Sequence, residues 1–283
     1  MPLQDLLAFV EMPIEADATV STTPALDQAF ALAKDMAAHL TVALSAPKIA
    51  TPGSFVFPGF SSSLIADANA KAEAAVQAFA AQARQKAKDL SLVCDISTAV
   101  EDLGSAGAFA VGLARCSDLV VVDRPGRMLD PGNALFTSIL FEGGGPVLVV
   151  PPARPASANF RKLLVAWDGS AHAARAVKAA LAFFAPPAEI DILTVTGEKD
   201  LAGVPPAAGI AQHIARHDVT TTVSSVALAG QSVGATIAEH ARTTGADLIV
   251  MGAYEHSRWR QMLLGGVTSH LTHHSPLPLL LAY

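Results

Sequence analysis

The chain has 283 residues, more than one ordinary domain needs, and 51% of them are hydrophobic against 16% charged, enough to fill packed cores. Nineteen basic residues against twenty-five acidic ones leave a formal charge of −6 with no dense Lys/Arg run, which excludes a nucleic acid as the main partner. The longest apolar stretches fall short of the ~20 residues that cross a bilayer, so no membrane partner is expected. Met1-Pro2-Leu3-Gln4-Asp5 has no basic segment leading into an apolar core, and a cytoplasmic protein is expected.

In chain order, Leu6-Leu7-Ala8-Phe9-Val10-Glu11 is a short apolar run ending on a carboxylate, predicted as a strand. Phe55-Val56-Phe57-Pro58-Gly59-Phe60 falls in a loop, where its aromatics form either a lid on the sheet edge or a partner contact. From about Ser62 to Leu90 the sequence is rich in Ala. There Ile65, Ala68, Ala72, Val76, Phe79, Ala83 and Ala87 recur every three or four residues, which predicts a long helix with one apolar face in the core. Cys94, in the next strand, and Cys116, closing the next helix, sit in no CxxC or Cys/His spacing and are expected as buried thiols. Ser117-Asp118-Leu119-Val120-Val121-Val122 and Pro146-Val147-Leu148-Val149-Val150 read as two further strands. Pro151-Pro152-Ala153-Arg154-Pro155-Ala156-Ser157 then breaks regular structure, because repeated Pro removes backbone donors and fixes φ.

After that break the pattern returns. Leu163-Leu164-Val165-Ala166-Trp167-Asp168 matches the first run, Ala246-Asp247-Leu248-Ile249-Val250-Met251 matches Ser117–Val122, and Pro278-Leu279-Leu280-Leu281-Ala282 matches Pro146–Val150. The spacing shrinks because only about Ala207 to His217 stands where the first copy has its long helix. Each copy reads as five strands alternating with four helices, with uninterrupted apolar strands that suit a parallel sheet covered on both faces. The fold class is α/β: two tandem doubly wound domains, residues 1–151 and 161–283, joined by a linker at 152–160, each a five-stranded parallel sheet with helices on both faces.

Ligands of such sheets sit beyond the carboxyl ends of the strands, where helix N-termini present N–H groups. In the second copy Asp168-Gly169-Ser170 follows the first strand. Its carboxylate either accepts from a ribose hydroxyl or base amine, or caps the next helix, and the neighbouring Trp167 either stacks on a base or packs into the sheet. After the fourth strand come Gly252, then Glu255-His256-Ser257-Arg258, then Gly265-Gly266-Val267-Thr268-Ser269 opening the last helix. The helix-initial N–H groups and the Thr268 and Ser269 hydroxyls could cradle phosphate oxygens, with Arg258 or Arg260 supplying positive charge.

These residues resemble the universal stress protein family, whose pattern is a strand ending in Asp-Gly-Ser and, later, Gly-x-x-Gly-x9-Gly-Ser/Thr. Gly252 matches the first glycine, Glu255 replaces the second, nine residues follow, and Gly265-Gly266 stand where Gly-Ser/Thr belongs; spacing holds while two of four positions differ. The resemblance spans both copies and is closer in the second. It implies a Rossmann-like stress-response regulator that binds ATP or another adenine nucleotide, with or without Mg. Ala166, Trp167, Asp168 and the Val195 backbone would recognise adenine or ribose, and Gly252, His256, Ser257, Arg258, Gly265, Gly266, Val267 and Thr268 would surround ribose and phosphates.

The first copy has Glu11-Met12-Pro13 in place of Asp-Gly-Ser, then Asp123-Arg124-Pro125-Gly126 and Phe136-Thr137, with the Phe136 ring expected on the site's rim, so no ATP is expected there. Three readings follow. The first is nucleotide-linked regulation from the second copy. The second is a nucleotide-independent interaction module with an unknown protein partner, in which the tandem pair mimics a family homodimer through its terminal strands, with a dimer of chains possible by analogy. The third is slow ATP hydrolysis. No catalytic residue is assigned, because GxSxG and GxxxxGK[ST] are both absent. His270, His273 and His274 are read as solvated residues near a helix end, so no metal site is expected.

Overall fold

The computed structural model describes residues 3–12, 22–49, 62–101, 103–126, 131–152, 154–184, 188–197, 207–228, 232–253 and 265–283. In the first half β1 (Asp5–Glu11), β2 (His39–Pro47), β3 (Cys94–Glu101), β4 (Leu119–Asp123) and β5 (Val147–Val150) alternate with α1 (Pro24–Met36), α2 (Ser62–Asp89), α3 (Leu103–Ala114) and α4 (Pro131–Glu142). The second half repeats the order with β6 (Lys162–Ala166), α5 (Ala171–Phe183), β7 (Glu189–Thr196), α6 (Ala207–Ala215), β8 (Thr220–Ala227), α7 (Val233–Thr244), β9 (Leu248–Gly252), α8 (Gly266–His274) and β10 (Leu279–Ala282).

The strands join one sheet in the order β3-β2-β1-β4-β5-β10-β9-β6-β7-β8. Each half is therefore a five-stranded parallel, doubly wound unit. The two are fused where β5 and β10 meet antiparallel, Leu280 opposite Leu148. The strand order reverses between β1 and β4 in one half and between β6 and β9 in the other, which sets a crevice beyond each strand end.

Alternation along each strand sends side chains to two cores. Leu6, Ala8 and Val10 of β1 pack toward α1 and α2, in a cluster that continues under α5 and α6. Leu7 and Phe9 pack on the other face, in the cluster that reaches α3, α4, α7 and α8. The stripe expected from Ile65 to Ala87 lies buried along α2, with Ala68 half-buried at its start. The short α6 covers less, and Val223 on the edge strand β8 is 51% exposed. Phe55–Phe60 lies outside the described residues.

A matched carboxylate pins the start of the first strand in both halves. Asp118 Oδ2 accepts from the Gln4 and Asp5 N–H groups at 2.9 and 3.0 Å, and Asp247 Oδ2 accepts from Arg161 and Lys162, both at 3.1 Å. The segment between the halves is held down as well. Buried Gln28 of α1 donates to the Ser157 carbonyl at 2.6 Å and accepts from its N–H at 3.1 Å, and Arg154 pairs with Asp247 at 3.1 Å.

Both cysteines differ from expectation. Cys94 is half-buried in β3, where burial and the Asp95 charge push its thiol up to about 11, and Cys116, past the end of α3, is exposed. Cys116 closes α3 as expected, its N–H donating to the Leu113 carbonyl at 3.0 Å, but this last turn lies at the surface, so the usual burial of a free cysteine does not hold there.

Candidate functional site

The first wall of the second-half crevice is the turn between β6 and α5. Gly169 has φ +73, a left-handed conformation that glycine adopts without Cβ strain. Around it, Asp168 Oδ1 accepts from Ser170 N–H at 3.0 Å, and Ser170 caps α5 by accepting from Ala173 N–H at 3.0 Å. Ser170 is thus the cap, and the half-buried Asp168 carboxylate shapes the turn that presents it. Trp167 settles its two alternatives in favour of packing: its indole is buried in the core cluster beside α5, while Ala166 before it is half-buried.

The second wall is the end of β7. In a parallel sheet both backbone groups of a residue face the same neighbouring strand, and successive residues alternate sides. The Leu193 carbonyl accepts from Trp167 N–H at 2.8 Å, so Leu193 faces β6, and the Thr196 carbonyl accepts from Leu228 N–H at 2.7 Å, so Thr196 faces away. Val195 therefore faces β6 from beyond Ala166, the last β6 residue paired with β7, and its N–H and C=O border the crevice.

The third wall combines the end of β9 with the start of α8. A Cβ on Gly252 would lie 2.6 Å from Ala173 N and 2.8 Å from the His172 carbonyl carbon and Cβ, so this glycine admits the first turn of α5 against the strand. Gly265 precedes α8 with no side-chain cap hydrogen bond, and a Cβ on Gly266 would meet nothing within 4 Å. Gly265 and Thr268 are buried, Val267 is half-buried and Gly266 is exposed. Among the described residues the helix start thus has N–H donors without a side-chain acceptor and open space above them, which suits an anion. Glu255, His256, Ser257, Arg258 and Arg260 lie outside the described residues.

At the matching place in the first half, Asp123 ends β4 and points at the start of α1. Its Oδ1 accepts from Ala25 N–H at 2.8 Å and it is hydrogen-bonded to Thr23, the residue that caps α1. Burial raises the Asp123 pKa above the ordinary carboxylate value, the Ala25 and Thr23 hydrogen bonds oppose that rise, and the Asp27 charge adds to it. The protein thus supplies its own carboxylate to the helix start. Phe136 is buried in the α3/α4 core, not on the rim where the sequence suggested it, because α4 turns that face to the sheet.

Two polar groupings escaped sequence reasoning. Asp191 of β7, its side chain 4% exposed, accepts from Ser224 at 2.8 Å and pairs with His240 Nε2 at 2.7 Å. Both partners meet the same carboxylate, so the serine is not aligned on the histidine and the trio lacks the relay of a hydrolase. The other is Arg124, next to Asp123, whose guanidinium donates to the Ser275 carbonyl at the end of α8. Only a serine, an aspartate or an arginine is visible locally in each case; the partners lie 33, 49 and 151 residues away.

The C-terminal histidines are engaged along α8. His273 Nδ1 is 2.7 Å from the Ser269 carbonyl, His274 Nδ1 is 3.0 Å from the His270 carbonyl, and the His270 and His274 rings stack at 4.9 Å. Burial, and secondarily the His274 charge, lower the His270 pKa. No group of three His, Cys, Asp or Glu suited to a metal occurs among the described residues, and none of their helices is long and apolar enough to cross a membrane.

Fold and site together define a class: a doubly wound α/β protein of two fused halves, with Gly252 at the end of β9 in one and Asp123 at the matching end of β4 in the other. Residues 159–282 match the model of the universal stress protein family. Comparison with curated proteins gave no match. Among solved structures, a universal stress protein from Archaeoglobus fulgidus DSM 4304 is 15% identical, with 97% of each chain covered and a TM-score of 0.61. A functionally unknown protein from Pseudomonas aeruginosa PAO1 is 14% identical, with 98% of this chain and 92% of that chain covered and a TM-score of 0.53. At these identities the likeness is one of fold. A universal stress protein in complex with cAMP aligns with 44% of this chain and 97% of its own, at 19% identity and a TM-score of 0.33.

Proposed function

We propose that this chain is a stress-response regulatory protein that binds one adenine nucleotide, ATP or a close relative, in the crevice of its second half. The observation that carries the reading is the start of α8 beyond β9, which among the described residues has no side-chain cap and has open space above Gly266. The Asp168 turn and the crevice-facing Val195 backbone border the same strand ends, where ribose and adenine would lie. Phosphates would meet the Gly266, Val267 and Thr268 N–H groups, with Mg neutralising charge that backbone donors alone leave. The match of residues 159–282 to the universal stress protein family supports the same ligand class.

A second reading, a nucleotide-independent interaction module, is favoured by two details. Gly252 is already explained by the approach of α5, and Asp168 Oδ1 is engaged in its own turn. Calorimetric titration of ATP, with and without Mg, into purified chain stripped of ligand separates the two. The nucleotide reading predicts one site per chain, lost in Gly266→Val, whose side chain enters open space without disturbing the fold. No heat from the wild-type chain at millimolar ATP would leave the interaction module standing. Phosphate release no faster than from heat-killed protein would dismiss slow hydrolysis.

A further inference from the structure

Asp123 and Arg124 at the end of β4 do two jobs that Gly252 and Ala253, at the matching positions, do not. Asp123 accepts from the Ala25 N–H at the start of α1 within its own half, while Arg124 reaches across to the second half and donates to the Ser275 carbonyl at the C-terminus of α8. Arg124 is fixed at its root, its N–H donating to the Val150 carbonyl at 3.0 Å, and its Nε is buried without a partner among the described residues. The matching residue of the second half is Ala253, whose N–H donates likewise to Ala282 at 2.8 Å. Alanine has no group to send back, so among the described residues the link runs one way.

The helix that receives this link is short. α8 has nine residues, too few for a helix to persist without help from its surroundings. Leu271 and Thr272 seat its middle in the core, and Ser275 closes it by donating to the Leu271 carbonyl at 2.9 Å. Arg124 adds a cation at the negative end of the helix dipole, where a positive charge is stabilising. The opposite end of α8, without a side-chain cap among the described residues, is the start that meets phosphate in the function proposed above. A rigid helix of ~14 Å, at ~1.5 Å per residue, transmits a change of tilt at one end to the donors at the other.

We infer that Arg124 of the first half is a positioning residue for the nucleotide site of the second half, acting through α8 by holding its C-terminus at Ser275. The inference rests on the proposed function for its ligand, but the brace itself can be read without one.

The test has two arms on the full chain. In ligand-free protein, hydrogen exchange of the α8 amides is compared for wild type, Arg124→Ala and Arg124→Lys, with the β6 and β7 amides as reference. The expected result is exchange about tenfold faster in α8 for Arg124→Ala, as loss of a charged hydrogen bond allows, with the reference strands unchanged and most protection restored by lysine. In the second arm, ATP and adenosine are titrated into the same proteins. ATP affinity is expected to fall about tenfold in Arg124→Ala while adenosine, which has no phosphate, changes less than about twofold. Unchanged α8 exchange, or equal losses for ATP and adenosine, would overturn the inference. If wild type binds neither ligand, the proposed function has failed while the exchange arm still decides the brace. Should Arg124→Ala not fold, Arg124→Gln, which keeps one donor without the charge, is expected to show an intermediate exchange rate, and a wild-type rate would overturn the inference equally.

Discussion

The ends of β4 and β9 occupy the same place in two copies of one fold and are built on opposite plans. At β9 a glycine lets the α5 backbone come within 2.6 Å of where a Cβ would stand, and no side chain intervenes. At β4 an aspartate fills that place and accepts from the start of α1 at 2.8 Å. A helix start needs an acceptor, and the two halves meet the need differently. Thr23 caps α1 as Ser170 caps α5, but the first half adds a fixed carboxylate at the start of α1, whereas in the second half the start of α8 has no side-chain cap among the described residues. On the proposed function, one copy then uses this position for internal contacts while the other keeps it for a ligand.

The contrast can be broken most severely at Gly252. Gly252→Ala is expected to displace the first turn of α5 and lower unfolding free energy by about 2–3 kcal/mol, since backbone atoms rather than flexible side-chain ends stand in the way. Urea denaturation reads this directly, and a loss under about 0.5 kcal/mol, within the range of a neutral surface change, would show that α5 does not need the glycine.

The shared part of the design is sharpened by the paired carboxylates. Asp118→Ala and Asp247→Ala each remove an acceptor from two backbone N–H groups and should cost similar amounts, about 1–2 kcal/mol. Asp247→Ala should be the more costly of the two, because it also releases Arg154. A large effect in one half and none in the other would mean that the copies are not equivalent at their strand starts.

The smallest effect is the pH dependence set by Asp123. Its folded-state pKa is raised, so the folded protein binds this proton more tightly than the unfolded chain does. The stability it contributes is complete below the unfolded value and is lost as pH rises through the folded one. Asp123→Asn keeps an acceptor for Ala25 without the buried charge. The variant should match wild type in acid and equal or exceed its stability above the raised pKa. Denaturation at several pH values checks this, and a variant that is less stable only at neutral pH would reverse the sign.

Much of this architecture was legible in the sequence because its signals are local. The Ala-rich stripe from Ile65 to Ala87 carries the helical period, and the apolar runs at Leu119–Val122 and Leu248–Met251 carry the mark of strands buried on both faces. Asp168-Gly169-Ser170 also announced its turn, since a left-handed glycine before a Ser cap is written in adjacent residues. What stayed hidden depends on partners far along the chain. Asp123 read only as a departure from the family pattern, with no sign of its bond to the start of α1, and Arg124 gave no hint of Ser275. Phe136 stood at a site position by spacing, but helix phase turned it into the core.

The central claim is that only the second half holds nucleotide. Hydrogen exchange mapped on the full chain with and without saturating ATP tests it most directly. The account predicts slowed exchange at the amides from Gly266 to Ser269 and around Ser170, with no change at Ala25, Arg124 or the start of α4. Protection at the first-half positions, or none anywhere in the chain, would contradict it.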